Sequence, residues 1–219
     1  MRIEYFFDPV CPFCWVTSRW VVDIADDRNL DIAWRFICLR IINEGTYNEK
    51  GPEYEASHSK GRELLRVAAA VRKDHGDHIV GDLYTAMGNA IWEVAPPAGG
   101  DRRSHLATFD RHAVAALLAS IELDEAYADA MTDDRFDGIL GDETALAFER
   151  TGRDVGTPII TYGDGGPSFF GPVISAVPDH TDGLQLWDAL VEITSIATFS
   201  ELKRSNRDPL DLPILRGES

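Results

Sequence analysis

Cys11-Pro12-Phe13-Cys14 is the segment of this chain best equipped for chemistry. A cysteine acts as a nucleophile through its thiolate, and a second cysteine two residues on can displace whatever the first has captured. That chemistry needs a place where a sulfur anion is stabilised. The start of a helix is such a place, because its unpaired N–H groups and the positive end of its dipole face the first residue. Pro12 stiffens the link between the two sulfurs, and Phe13 offers an aromatic face to a partner molecule. Half a zinc site is the competing chemistry. No second C-x-x-C and no H-x-H pair exists to complete four ligands, and Cys38 alone does not supply them. A merely buried pair of cysteines is disfavoured, since a helix start after Asp8-Pro9 is expected at the surface. Cys38, at the end of a strand pattern, reads as a buried structural thiol.

The flanking pattern supplies that helix. Residues 2–7 are β-rich and stop at Asp8-Pro9. Residues 12–28 read as a helix, with Trp15, Ser18, Val22 and Ala25 at helical spacing and Pro12 in the first turn. Residues 31–38 alternate, with Ile32, Trp34, Phe36 and Cys38 on one face. Strand, helix and strand in this order predict a right-handed βαβ unit, and a C-x-x-C at its strand-to-helix junction is a redox signature.

Residues 43–56 read as a polar loop, and residues 57–152 as almost wholly helical. Leu64, Ala68 and Val71 mark one helix. Ile79, Leu83, Met87, Ala90 and Val94 mark a second, ended by Pro96-Pro97. Leu106, Phe109, Ala113, Leu117 and Ile121 mark a third, and residues 124–131 and 136–150 add two more. Strands return at 158–162 and 168–170 as a hairpin around Gly163-Asp164-Gly165-Gly166. A helix carrying Leu184, Trp187, Leu190, Val191 and Thr194 follows. The expected fold is α/β: a mixed four-stranded sheet with flanking helices, interrupted by an inserted all-helical domain. Residues 1–42 and 153–204 form the sheet domain, 43–152 the insertion and 205–219 an extended tail.

Composition narrows the partners. The 219 residues are 44% hydrophobic and carry a net charge of −16. So acidic a chain repels phosphate backbones and anionic lipid surfaces, so neither nucleic acid nor membrane is expected as a partner. No apolar run is long enough for a membrane span, and no secretory signal opens the chain. A cytoplasmic location is the expectation, and three cysteines are too few for a disulfide-stapled secreted fold.

Phe7-Asp8-Pro9, Cys11-Pro12-Phe13-Cys14-Trp15 and the helical insertion resemble the DsbA-like branch of the thioredoxin superfamily. Asp82-Leu83-Tyr84-Thr85-Ala86-Met87-Gly88-Asn89, Asp154-Val155-Gly156-Thr157-Pro158, Phe169-Phe170-Gly171-Pro172-Val173 and Glu201-Leu202-Lys203-Arg204 resemble the mycothiol-dependent nitroreductase group within it. The resemblance implies a thioredoxin-like fold and a cytosolic thiol–disulfide oxidoreductase. It makes Cys11 the attacking and Cys14 the resolving thiol. Pro158 becomes a cis-proline facing the pair, with the backbone of Thr157 free to hold an extended substrate or thiol. The same resemblance places Asn43 and Tyr54 in the substrate pocket and makes the insertion a lid. No tightly bound cofactor is implied. Mycothiol or another low-molecular-weight thiol serves as cosubstrate, a disulfide or electrophile such as a nitro compound as substrate, and a homodimer is compatible with the pattern.

Two departures from the superfamily stand out. The position six residues before the attacking cysteine, often a buried acid, is Tyr5 here, and no histidine lies between the cysteines. A less oxidising couple is expected from the second. Asp8 is read as a turn residue with Pro9; pointing inward, it would oppose a thiolate at Cys11. Two other readings keep the fold: a thiol-cofactor-dependent isomerase or transferase, disfavoured by the presence of Cys11, and a redox-switched binding or chaperone module. His75 and His78 read as a helix end and its flank, and Trp15, Trp20 and Trp34 as core.

Overall fold

The computed structural model describes residues 1–216. Four strands form one sheet in the order β2-β1-β3-β4. β1 (Arg2–Phe7) runs parallel to β2 (Asp31–Phe36), joined through α1 (Pro12–Asp23). On its other side β1 pairs antiparallel with β3 (Ile159–Tyr162), which continues into β4 (Ser168–Phe170). This is the mixed sheet that the two separated halves of the sequence require.

The central strand is covered on both faces, and its residues from Ile3 to Phe7 are all buried. Period-two alternation sorts them. Ile3, Tyr5 and Phe7 join the large core with Trp15, Trp20, Trp34, Leu83, Tyr84 and Trp92. Phe6 faces the opposite way, into a small cluster with Ile37, Ala147 and Ile159. Aromatic rings knit the larger face: Phe7 stacks on Tyr84 with centroids 4.0 Å apart, and Trp15 meets Tyr84 edge-on at 5.7 Å. Each such pair adds about 0.5–1.5 kcal/mol beyond area burial. Gly88 permits the approach of Trp15, since a Cβ there would lie 2.0 Å from the indole ring.

Between β2 and β3 the chain is helical: α2 (Leu39–Ile42), α3 (Tyr47–Lys50), α4 (Pro52–His75), α5 (Ile79–Trp92), α6 (Arg102–Ala107), α7 (Arg111–Ser120) and α8 (Asp137–Thr151). A 3₁₀ stretch, Glu125–Thr132, packs between α4 and α7. α8 returns to cover the Phe6 face of the sheet, and α9 (His180–Thr194) follows the hairpin.

Four local expectations are corrected. Residues 43–56 are not a loop but short helical turns leading into α4. Pro52, preset for a first helical turn, starts α4 just after Gly51 at φ 89°. The single helix expected over Leu106–Ile121 breaks in two, because the Asp110 side chain accepts from Ala113 N–H (2.9 Å) and caps a new helix. α1 stops at Asp23 rather than residue 28; Asp26 and Asp27 suit a helix C-terminus poorly, and Asn29 (φ 49°) turns the chain back to β2. The tail is not merely extended: Leu212 and Ile214 are buried, and a 3₁₀ turn at Pro213–Leu215 touches α5. Residues 217–219 of the expected tail lie outside the described residues. Among the described residues no helix is long and apolar enough to cross a membrane.

Candidate active site

β1 delivers the chain to a turn in which Cys11 N–H donates to the Asp8 carbonyl (3.0 Å), and α1 begins at Pro12. Cys11 is the extended residue preceding the helix (φ −87°, ψ 113°). Its Sγ accepts the Cys14 N–H (3.3 Å), taking the place of a helix-capping oxygen. From the other side Thr157 Oγ1 lies 3.1 Å from the same sulfur. Burial opposes a thiolate here. The Cys14 thiol, the Thr157 hydroxyl and the Cys14 N–H together outweigh it, and the Cys11 pKa falls below its ordinary value.

Cys14 has the opposite environment. It is fully buried one helical turn on, and both burial and the neighbouring Cys11 push its pKa well up. One thiol of the pair is therefore acidic and the other holds its proton. All three cysteines are free. The junction is braced by Tyr5 Oη, which donates to the Cys14 carbonyl (2.7 Å), and by Trp92 Nε1, which donates to the Pro9 carbonyl (3.0 Å). Tyr5 thus fills the position of the absent acid with a structural clamp.

The expectation of a surface pair needs correction. Cys11 is only 5% exposed and Cys14 not at all, because α4 and α5 of the insertion pack over the junction. Pro12 and Phe13 between them are half-buried and form the part of the motif that solvent reaches.

Asp8 is a second correction. It does not serve the turn from outside: its carboxyl is fully buried, accepting Val10 N–H (3.0 Å) and Leu39 N–H (2.8 Å). A Cβ on Gly61 of α4 would come within 2.6 Å of Asp8 Oδ1, so the insertion closes directly onto this carboxyl. Burial pushes the Asp8 pKa up to about 7, and the two amide bonds only partly offset it. Its charge acts against ionisation of both Cys11 and Cys38. Cys38 is fully buried, its pKa pushed up to about 12 by burial and Asp8, in keeping with a structural thiol.

The Thr157–Pro158 peptide is cis, Thr157 faces Cys11, and Gly171–Pro172 is a second cis peptide that the sequence pattern did not suggest. Thr17 Oγ1 donates to the Pro172 carbonyl (2.9 Å), tying the segment after β4 to α1.

Asn43 and Tyr54 are brought together, with Tyr54 Oη 3.3 Å from Asn43 Oδ1. Asn43 Nδ2 in turn donates to the Leu39 carbonyl (3.0 Å), one residue's length from the amide that holds Asp8. Two residues that the sequence reading missed complete this group. Tyr47 Oη lies 3.1 Å from His58 Nδ1, and the His58 ring packs edge-on to Tyr54 at 4.2 Å. Burial and the charges of Arg102, Lys50 and Arg40 push the His58 pKa down to about 4, so the ring is neutral at pH 7. The sequence signal was aromatic and cationic enrichment in the segment 43–56 read as loop, with His58 just past its end in the helical stretch.

A cavity of about 740 Å³ between α5 and α7 is lined by Ile79, Asp82, Thr85, Asn89, Leu117 and Ile121 among others, and includes none of the predicted site residues. Among the described residues no group of His, Cys, Asp and Glu is arranged to hold a metal. His75 ends α4, and His78 precedes α5.

A family model described as Rv2466c-like, mycothiol-dependent nitroreductase Rv2466c, matches residues 10–204. The uncharacterised protein Rv2286c of Mycobacterium tuberculosis is 27% identical over 213 residues, 97% of this chain and 85% of that protein. Cytosolic disulfide reductase DsbM from Pseudomonas aeruginosa superposes with a TM-score of 0.56 at 13% identity, covering 88% of this chain and 99% of its own. The probable DsbA oxidoreductase SCO1869 from Streptomyces coelicolor gives 0.54 at 14% identity, covering 94% of each chain. These structures share the DsbA-like thioredoxin fold with its helical insertion. With nearly the whole chain matched, the protein belongs to the Rv2466c-like family of mycothiol-dependent nitroreductases, and is an oxidoreductase.

Proposed function

We propose that this chain is a cytoplasmic thiol–disulfide reductase in which Cys11 attacks and Cys14 resolves. The Cys11 thiolate displaces one sulfur of a disulfide substrate, forming a mixed disulfide and releasing a thiolate. Cys14 gives up its proton and attacks that bond, releasing the second thiol and leaving a Cys11–Cys14 disulfide. Two molecules of a low-molecular-weight thiol, mycothiol first among them, reduce the pair again and leave as their own disulfide. The same two electrons and two protons can pass to a nitro group, which loses one oxygen as water. Thr157 and Pro158, Pro12 and Phe13, with Asn43 and Tyr54, form the surface that receives the substrate, and the insertion over residues 43–152 acts as its lid.

The observation that carries this reading is the split environment of the pair. One sulfur at a helix start receives an amide and a hydroxyl. The other lies buried one turn later and keeps its proton. Family membership supports the thiol cosubstrate.

Trapping tests it. Cys14→Ser protein incubated with mycothiol disulfide is expected to gain one mycothiol on Cys11 by mass spectrometry, and Cys11→Ser to lose turnover. An adduct on Cys38, or none, would overturn the assignment. A turnover assay comparing mycothiol, glutathione and a thioredoxin-type reductant, each on one disulfide and one nitroaromatic, fixes the cosubstrate.

A further inference from the structure

After α9 the chain does not leave the fold. The Phe199 ring packs near Phe169 of β4 (5.6 Å). Ser175 Oγ donates to the Asp208 carbonyl (2.9 Å), and Asp211 N–H donates to the Ser175 carbonyl (2.9 Å). Leu212 and Ile214 are then buried against the core. The stretch between these anchors is an exposed strap. It carries Lys203, Arg204 and Arg207 in a chain whose net charge is −16, and none of the three forms an ion pair among the described residues. Its course is set by the segment after β4, which Thr17 of α1 holds at Pro172. The strap therefore passes beside the start of α1, and the Arg207 guanidinium sits 5.8 Å from the centre of the Phe13 ring.

Phe13 lies between the two buried sulfurs, on the part of the motif open to solvent. Phe13 is the aromatic ring next to the pair on this open side, and the charge nearest to it on the strap is positive. Arg207 also lies beyond residues 10–204, the span that matches the family. We propose that Arg207 is a specificity-determining residue that favours substrates carrying an anionic group, a carboxylate or sulfonate, next to the sulfur that Cys11 attacks. The proposal rests on the reading of Cys11 as the attacking thiol. An aromatic disulfide with a carboxylate fits it best, since the ring can lie along Phe13 while the acid meets the guanidinium in bidentate fashion.

The test is single-turnover reaction of the pre-reduced full chain with two aromatic disulfides. One is the dianionic 5,5′-dithiobis(2-nitrobenzoate), the other the neutral 4,4′-dithiodipyridine. Each is followed by release of its coloured thiol, and the protein itself supplies both electrons. Arg207→Ala is expected to slow the anionic probe about fivefold and Arg207→Glu about twentyfold, from one unit charge removed or reversed at roughly 4–5 Å in a water-like dielectric. The neutral probe should change less than about twofold, and added salt should shrink the anionic difference. Equal losses on both probes, or no loss on either, would overturn the proposal while leaving Cys11 in place. If Cys11→Ser reacts with both probes as fast as the wild type, the reading of Cys11 fails and this inference falls with it. Arg207 is exposed, so these variants leave the core intact.

Discussion

Replacing Thr157 with valine removes one hydroxyl and keeps the shape of the side chain. In the native protein that hydroxyl lies 3.1 Å from Cys11 Sγ, and Thr157 is only 7% exposed, so water cannot readily take its place. A hydrogen bond to a charged group contributes about 1.5–3 kcal/mol. One pH unit of titration midpoint corresponds to about 1.36 kcal/mol, so the Cys11 midpoint should rise by about one to two units. The Cys14 N–H at 3.3 Å and the Cys14 thiol still face the sulfur, which limits the change to the hydroxyl's share. Thr157→Ser retains the donor and should stay near the native midpoint. The assay is the pH dependence of iodoacetamide alkylation at Cys11 in a Cys38→Ala background, checked by thiolate absorbance near 240 nm. A rise of less than about 0.3 units in the valine variant, or an equal rise in the serine variant, would refute the assignment of this hydroxyl as a donor to the thiolate.

Other perturbations test the scaffold. The buried Asp8 has its pKa raised to about 7 from an ordinary 3.8, so the folded state binds a proton that the unfolded chain has lost. Stability should therefore fall as pH rises from about 4 to about 7, by up to on the order of 4 kcal/mol, and urea unfolding of Asp8→Asn should lack that part of the slope. A native slope matching that of the variant would show that Asp8 does not titrate in this window. Gly88→Ala places a Cβ 2.0 Å from the Trp15 ring and should cost at least about 1–3 kcal/mol in chemical denaturation; an unchanged midpoint would mean that the indole moves freely. Glu143, 5% exposed, accepts Phe36 N–H at 2.7 Å and pairs with Arg35 and Arg72, so Glu143→Ala should cost about 3–5 kcal/mol by the same measurement. A loss below about 1 kcal/mol would show that water replaces the carboxylate.

The sheet was legible because each strand pattern is local. Alternation in residues 2–7 and 31–36, and a glycine-rich turn before Ser168, need no knowledge of the rest of the chain. The position of Cys11 at a helix start followed from Asp8-Pro9 and Pro12 in the same way. Its burial did not, because that depends on α4 reaching Asp8 through Gly61, a contact between residues 53 positions apart. For the same reason Asp8 was read as a turn residue when its carboxyl in fact ties the end of β1 to the start of α2 at Leu39. Tyr47 was hidden in a segment whose glycines and polar residues resemble a loop; its burial and the start of α4 at Pro52 make that segment helical instead, and bring Tyr47 against His58 of α4. The tail escaped because Leu212 and Ile214 are buried in a core built from residues far away in sequence, α5 among them.

The hydroxyl that helps to acidify Cys11 lies 146 residues further along the chain. Until residue 157 has been synthesised, that donor is missing and the sulfur has only the groups of its own helix start. Only when β3 slots in antiparallel beside β1 does Thr157 arrive and that sulfur gain its full acidity. The acidity of this sulfur is thus completed from the far end of the chain, by the strand that closes the sheet.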